Sequence, residues 1–130
     1  MRVLIVDDSV VMRMIVERAL RHAGLDLFEV LQAANGVEGL AALETAGASG
    51  APLDLILSDV HMPVMDGLEF LLEKQRRNLA PGVPVVMITA DSDDTHVSQA
   101  IAAGAQGFIS KPFTIQQMQT RVAALLLSAV

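Results

Sequence analysis

Val3-Leu4-Ile5-Val6-Asp7-Asp8-Ser9, at the start of the chain, is a solid apolar run that ends on two carboxylates and a hydroxyl. A run with no polar alternation suits a strand covered on both faces, the condition inside a parallel sheet. Leu55-Ile56-Leu57, Val85-Val86-Met87-Ile88 and the shorter Phe108-Ile109 repeat the pattern. Phe28 to Ala33 is a weaker fifth strand, assigned from its place between two helical patterns. Helical periodicity fills the gaps. Met12, Ile15, Val16, Ala19, Leu20 and Ala23 fall on one stripe, with Ser9 or Asp8 to cap its start and Gly24 to suit its end. Further helices are predicted over 37–46, 68–77 and 95–103, and a last one carries Ile115, Met118, Val122 and Leu125 at helical spacing. Strand and helix alternate five times, and right-handed crossovers then give an α/β, doubly wound parallel sheet with helices on both faces. The small residues from Gly47 to Pro52 read as a connecting loop without function.

A chain of 130 residues, 52% of them apolar, is expected to form one domain with a proper core. The net charge of −6 argues against nucleic acid or an anionic membrane as direct partners. No cysteine is present for disulfides or thiolate metal sites. The start lacks the basic segment and apolar stretch of a secretory signal, and the apolar run from Val122 to Leu127 is too short to span a bilayer. A soluble cytoplasmic domain is the expectation.

In an open parallel sheet, ligands bind beyond the carboxyl ends of the strands. Asp7 and Asp8 follow the first strand, and Ser58 and Asp59 the third. Thr89 closes the fourth, and Ser110 and Lys111 the fifth. Ala33, Ala34 and Asn35, after the second, are poor in ionisable groups, which fits an edge position. The order 2-1-3-4-5 satisfies this; it is taken over from flavodoxin-like sheets, not read from these residues. Three carboxylates gathered at one edge raise one another's pKa unless a cation joins them. Mg²⁺ suits such a set of hard oxygen donors, whereas no histidine cluster exists to recruit zinc. One carboxylate can then attack a phosphoryl donor, with Lys111 and Thr89 receiving the phosphoryl oxygens. Taken singly, each residue has a plainer reading: an Asp-Asp cap, a β-branched strand threonine, a solvated lysine. Their common placement at four strand ends is what points to one site.

Four motifs in order resemble the response-regulator receiver family over residues 2–127: Val6-Asp7-Asp8-Ser9, Ser58-Asp59-Val60-His61-Met62-Pro63-Val64-Met65-Asp66-Gly67, Ile88-Thr89-Ala90 and Ser110-Lys111-Pro112-Phe113. The stretch Asp8-Ser9-Val10-Val11-Met12-Arg13 is similar to stand-alone chemotaxis-type regulators. The resemblance implies that Asp59 is the phosphoacceptor and that Asp8 and Asp59 ligate Mg²⁺ directly. It implies Asp7 acting partly through water, and the backbone carbonyl of His61 as the remaining protein ligand. Thr89 and Lys111 match the residues that hold the phosphoryl oxygens, and Lys111-Pro112 matches a cis bond. Thr89 and Phe108 match a switch pair that rearranges the face of helix 4, strand 5 and helix 5. Phe108 read on its own is equally a core phenylalanine. His61 and Asp91 match positions that border the path of attacking water, and both also read as solvated loop residues. The implied donor is a histidine kinase or phosphotransfer protein, and the implied recipient a target protein or a fused output domain.

From Thr95 to Gly107 the chain holds no lysine, arginine or carboxylate, and only Arg121 follows in the last helix. A charged dimer through that face is therefore not expected, and the chain is expected to be monomeric. Gln116, Gln117 and Gln119 leave a neutral face for a partner protein. Two other classes compete. A phosphate-independent interaction module would not need Asp8, Asp59, Thr89 and Lys111 together. A phosphatase of the haloacid dehalogenase type wants an aspartate where His61 stands, and a flavodoxin wants hydroxyls where Asp7 and Asp8 would repel phosphate.

Overall fold

The computed structural model describes residues 1–90 and 94–128, with the backbone alone for 94–97 and 126–128. Its elements run β1 (Arg2–Val6), α1 (Val10–His22), β2 (Glu29–Ala33), α2 (Gly36–Ser49), β3 (Leu55–Asp59), α3 (Gly67–Arg76), β4 (Val85–Thr89), α4 (Asp94–Ala102), β5 (Gly107–Ser110) and α5 (Ile115–Ser128). The strands pair in parallel in the order β2-β1-β3-β4-β5, the flavodoxin-like order expected.

Side chains alternate across each strand, so every interior strand feeds two cores. Leu4, Val6, Ile56, Val85 and Met87 meet Leu40, Leu43, Phe70 and Ala100 from α2, α3 and α4. Val3, Ile5, Leu55, Leu57, Val86 and Ile88 meet Val16, Leu20, Met118 and Val122 from α1 and α5. This division explains why the runs lack polar alternation: both faces are covered.

The helix ends follow local chemistry. Ser9 caps α1 by accepting from the Met12 N–H, and Asn35 caps α2 by accepting from Glu38. Asp66 and Glu69 form a reciprocal capping box on α3. One helix boundary differs from expectation by more than a residue. Gly47-Ala48-Ser49, read as loop, complete α2, which ends only where Gly50 turns left-handed at φ 70°. Ile15 and Ile115, which share the helical spacing of buried neighbours, are themselves exposed. No described helix is long and apolar enough to cross a membrane.

Phe70 is fully enclosed and sits across from Gly39, where an added Cβ would lie 2.8 Å from its ring. Phe70→Ala leaves a ring-sized void in the α2–α3 core, and should cost about 3–5 kcal/mol in urea unfolding with an unchanged m-value.

Candidate functional site at the carboxyl edge of the sheet

The register delivers the site. β3 is the central strand, flanked by β1 and β4, and its last residue is Asp59. Asp7 is the first residue beyond β1, and its N–H donates to the Ala33 carbonyl at 3.0 Å. Thr89 ends β4 opposite Ser110 of β5, and the Lys111 N–H donates to the Thr89 carbonyl at 2.7 Å. The main chain of one strand thus aims the lysine that follows the next.

One oxygen from each of Asp7, Asp8 and Asp59 lies within 4.8 Å of the others. Asp7 and Asp59 are only 3% and 8% exposed, whereas Asp8 is open to solvent. Lys111 Nζ stands 3.3 Å from Asp7 Oδ2 and 3.5 Å from Asp59 Oδ2. A single ammonium therefore bridges two largely buried acids. The other oxygen of Asp7 accepts from the Ser9 N–H at 2.9 Å, which orients the carboxylate. The backbone N–H groups of Val60 and His61 favour the charged form of the Asp59 carboxyl.

Burial pushes the Asp59 carboxyl above its ordinary value; the Lys111 charge opposes this, and the nearby Asp7 charge adds to it. Repulsion among the acids, the expected cause, is present but second to desolvation. Hard oxygen donors this close, two of them little hydrated and sharing one ammonium, fit a small divalent cation of the Mg²⁺ kind.

The structure brings Asp7, Asp8, Asp59 and Lys111 together, with Thr89 fully enclosed at the end of β4. His61 follows Asp59 closely, with its side chain exposed. Phe108 is half-buried: it packs against the α2–α3–α4 core and also walls an open cleft of about 610 Å³ with Ile109, Pro112, Gln117 and Arg121. The Lys111-Pro112 bond is cis, as the resemblance implies. Asp91 lies outside the described residues. Arg13, read from the sequence as the last residue of the motif that opens at Asp8, belongs to the rim of the site. Its Nη1 donates to the Asp7 carbonyl at 2.6 Å and its Nε to Gln32 Oε1 at 2.9 Å. Its place one turn beyond the Ser9 cap was the available signal.

The raised Asp59 carboxyl has a sign-definite consequence. The folded chain holds that proton to higher pH than the unfolded chain does. The stability from this group is thus full below the unfolded value near 3.8 and is lost as pH rises through the folded value. With divalent ions chelated, Asp59→Asn should melt a few degrees higher than wild type at pH 7, the gap closing as pH falls toward about 4. A gap that does not change with pH in thermal melts contradicts this.

The profile described as the response regulator receiver domain matches residues 3–123. Among curated proteins, chemotaxis protein CheY1 of Helicobacter pylori is 32% identical over 126 residues, covering 97% of each chain. Among solved structures, chemotaxis protein CheY4 of Vibrio cholerae superimposes with TM-score 0.79 at 35% identity, over 96% of this chain and 98% of that one. A CheX–CheY–BeF3–Mg²⁺ complex from Borrelia burgdorferi gives TM-score 0.82 at 27% identity, over 95% and 87%. A strand order, a site at the strand ends and a profile match over nearly the whole length agree, and the chain belongs to the response regulator receiver domain family.

Proposed function

We propose that this chain is a phosphoacceptor signalling switch in which Asp59 receives a phosphoryl group. The observation that carries the reading is the Lys111 ammonium bridging Asp7 and Asp59 beside the exposed Asp8. Asp8, Asp59 and the His61 backbone carbonyl would hold Mg²⁺, with Asp7 contributing partly through water. Bound there, Mg²⁺ supplies the positive charge that offsets the acids and the phosphoryl oxygens.

The remaining chemistry belongs to the chain. A phosphohistidine on a histidine kinase or phosphotransfer protein is the donor. An Asp59 oxygen attacks phosphorus and the P–N bond breaks. The imidazole leaves as the neutral ring, its departing nitrogen keeping the bonding electron pair and its other nitrogen the proton it already carries. The product is a mixed anhydride on Asp59, and Lys111 and Thr89 receive the charge on the new oxygens. Desolvation keeps the nucleophile weakly hydrated, while the N–H groups of Val60 and His61 favour its charged form. Hydrolysis of the anhydride restores the starting state, so the protein catalyses only its own phosphorylation and dephosphorylation.

The readout is the face of α4, β5 and α5. Thr89 and Phe108 stand on paired strands, Thr89 opposite Ser110 and Phe108 opposite Met87. Drawing Thr89 toward the phosphoryl group alters the space available to Phe108 and hence the cleft that it walls. A target protein docking there would read the change. The similarity to chemotaxis proteins in Helicobacter pylori and Vibrio cholerae favours a chemotaxis-type output.

Intact-mass measurement after treatment with an acyl phosphate should give one added phosphoryl group, only with Mg²⁺ and not in Asp59→Asn. Lys111→Ala should slow labelling by about 10²–10³-fold, as loss of a donor to developing oxyanion charge does. A label that persists in Asp59→Asn removes the site assignment. A wild-type chain that never gains mass is a phosphate-independent interaction module.

A further inference from the structure

Between Asp59 and α3 the chain makes an unusually tight turn. The Met65 N–H donates to the Pro63 carbonyl at 2.7 Å across Val64, whose φ is 68°. A three-residue turn of this hand is rare, and a β-branched residue in the left-handed region is strained. The Val64 side chain is 80% exposed, so packing of that residue does not hold the turn. Its neighbour does. The Met65 carbonyl accepts from the Gly36 N–H at 2.9 Å, and the Met65 side chain lies over the Gly36 backbone. A Cβ at position 36 would stand 2.5 Å from Met65 Cγ and 2.8 Å from Sδ. Gly36 is not among the glycines with positive φ, so the position needs a small residue for close approach and not for a turn. Behind it, Asn35 caps α2 by accepting from the Glu38 N–H. The other end of the loop is pinned by the Gly67 N–H on the Val60 carbonyl at 2.8 Å. His61 lies between these two restraints.

We infer that Met65 and Gly36 form a latch that holds the strained Val64 turn closed and thereby positions the His61 backbone carbonyl for the cation, an inference that rests on the switch reading above. Met65 and Gly36 touch neither the cation nor the phosphoryl group; they are positioning residues. The strain at Val64 gives the latch its consequence. With the contact broken, the turn relaxes toward ordinary dihedrals and carries the preceding backbone with it. A merely space-filling role for Gly36 predicts something different: lost stability with unchanged affinity for metal.

The test is a Mg²⁺ titration without phosphodonor, by amide NMR shifts and calorimetry, on the full chain. Gly36→Ala and Met65→Ala should each weaken Mg²⁺ binding by about tenfold, the loss usual when a partner supporting a metal ligand is removed. Adding Val64→Asn, which tolerates the left-handed region, should return most of that affinity in the Gly36→Ala background. Urea unfolding reports stability separately, and Met65→Ala introduces no clash should Gly36→Ala fold poorly. Folded variants that bind Mg²⁺ as tightly as wild type overturn the latch, as does a Val64→Asn change that rescues nothing. A wild-type chain that binds no Mg²⁺, or binds it unaltered in Asp59→Asn, overturns the switch reading and the latch with it.

Discussion

Two nearly buried carboxylates, Asp7 and Asp59, share one ammonium and adjoin a third acid. Removed from water, like charges are tolerated only where opposite charge or aligned N–H groups meet them. Here Lys111 meets both, the Ser9 N–H meets Asp7, and the N–H groups of Val60 and His61 meet Asp59. The compensation is incomplete, because Asp59 still holds its proton above the ordinary carboxyl range. That residual imbalance makes the site receptive to a cation, and it sets what the rest of the fold must deliver: three strand ends and a lysine in register.

The sheet meets that demand by having no polar face. With α1 and α5 covering one side and α2, α3 and α4 the other, the strands are anchored by apolar contacts on both sides. Along the interior strands, polar side chains are left to the ends. A core built this way resists small displacements, so groups set at its rim keep their spacing without long side chains reaching across.

Much of this was legible in the chain. Val3 to Val6 and Val85 to Ile88 read as buried strands because nothing polar interrupts them, and Asp7, Asp59, Thr89 and Lys111 stood out because they follow such runs. Other features were not legible. Gly47, Ala48 and Ser49 looked like loop because small residues carry no periodicity, although nothing in them stops a helix before Gly50 does. The meeting of Gly36 and Met65 escaped because a glycine at the head of a helix has a local explanation already. Only the folded chain brings a methionine against it. Arg13 was half visible, as part of a motif but without a partner. The exposure of Ile15 and Ile115 was not visible, because spacing marks a stripe without marking its edges.

β5 has a paired neighbour on one side only, and its four residues run directly into Lys111 and Pro112. A strand that short, closed by a charge and by a residue with no amide hydrogen, is a poor template for another chain to extend. At the opposite rim, β2 carries the exposed polar residues Glu29 and Gln32. The sheet therefore discourages added strands at both borders. Its dealings with other molecules are left to side chains on the helices and loops, which can let go as readily as they take hold.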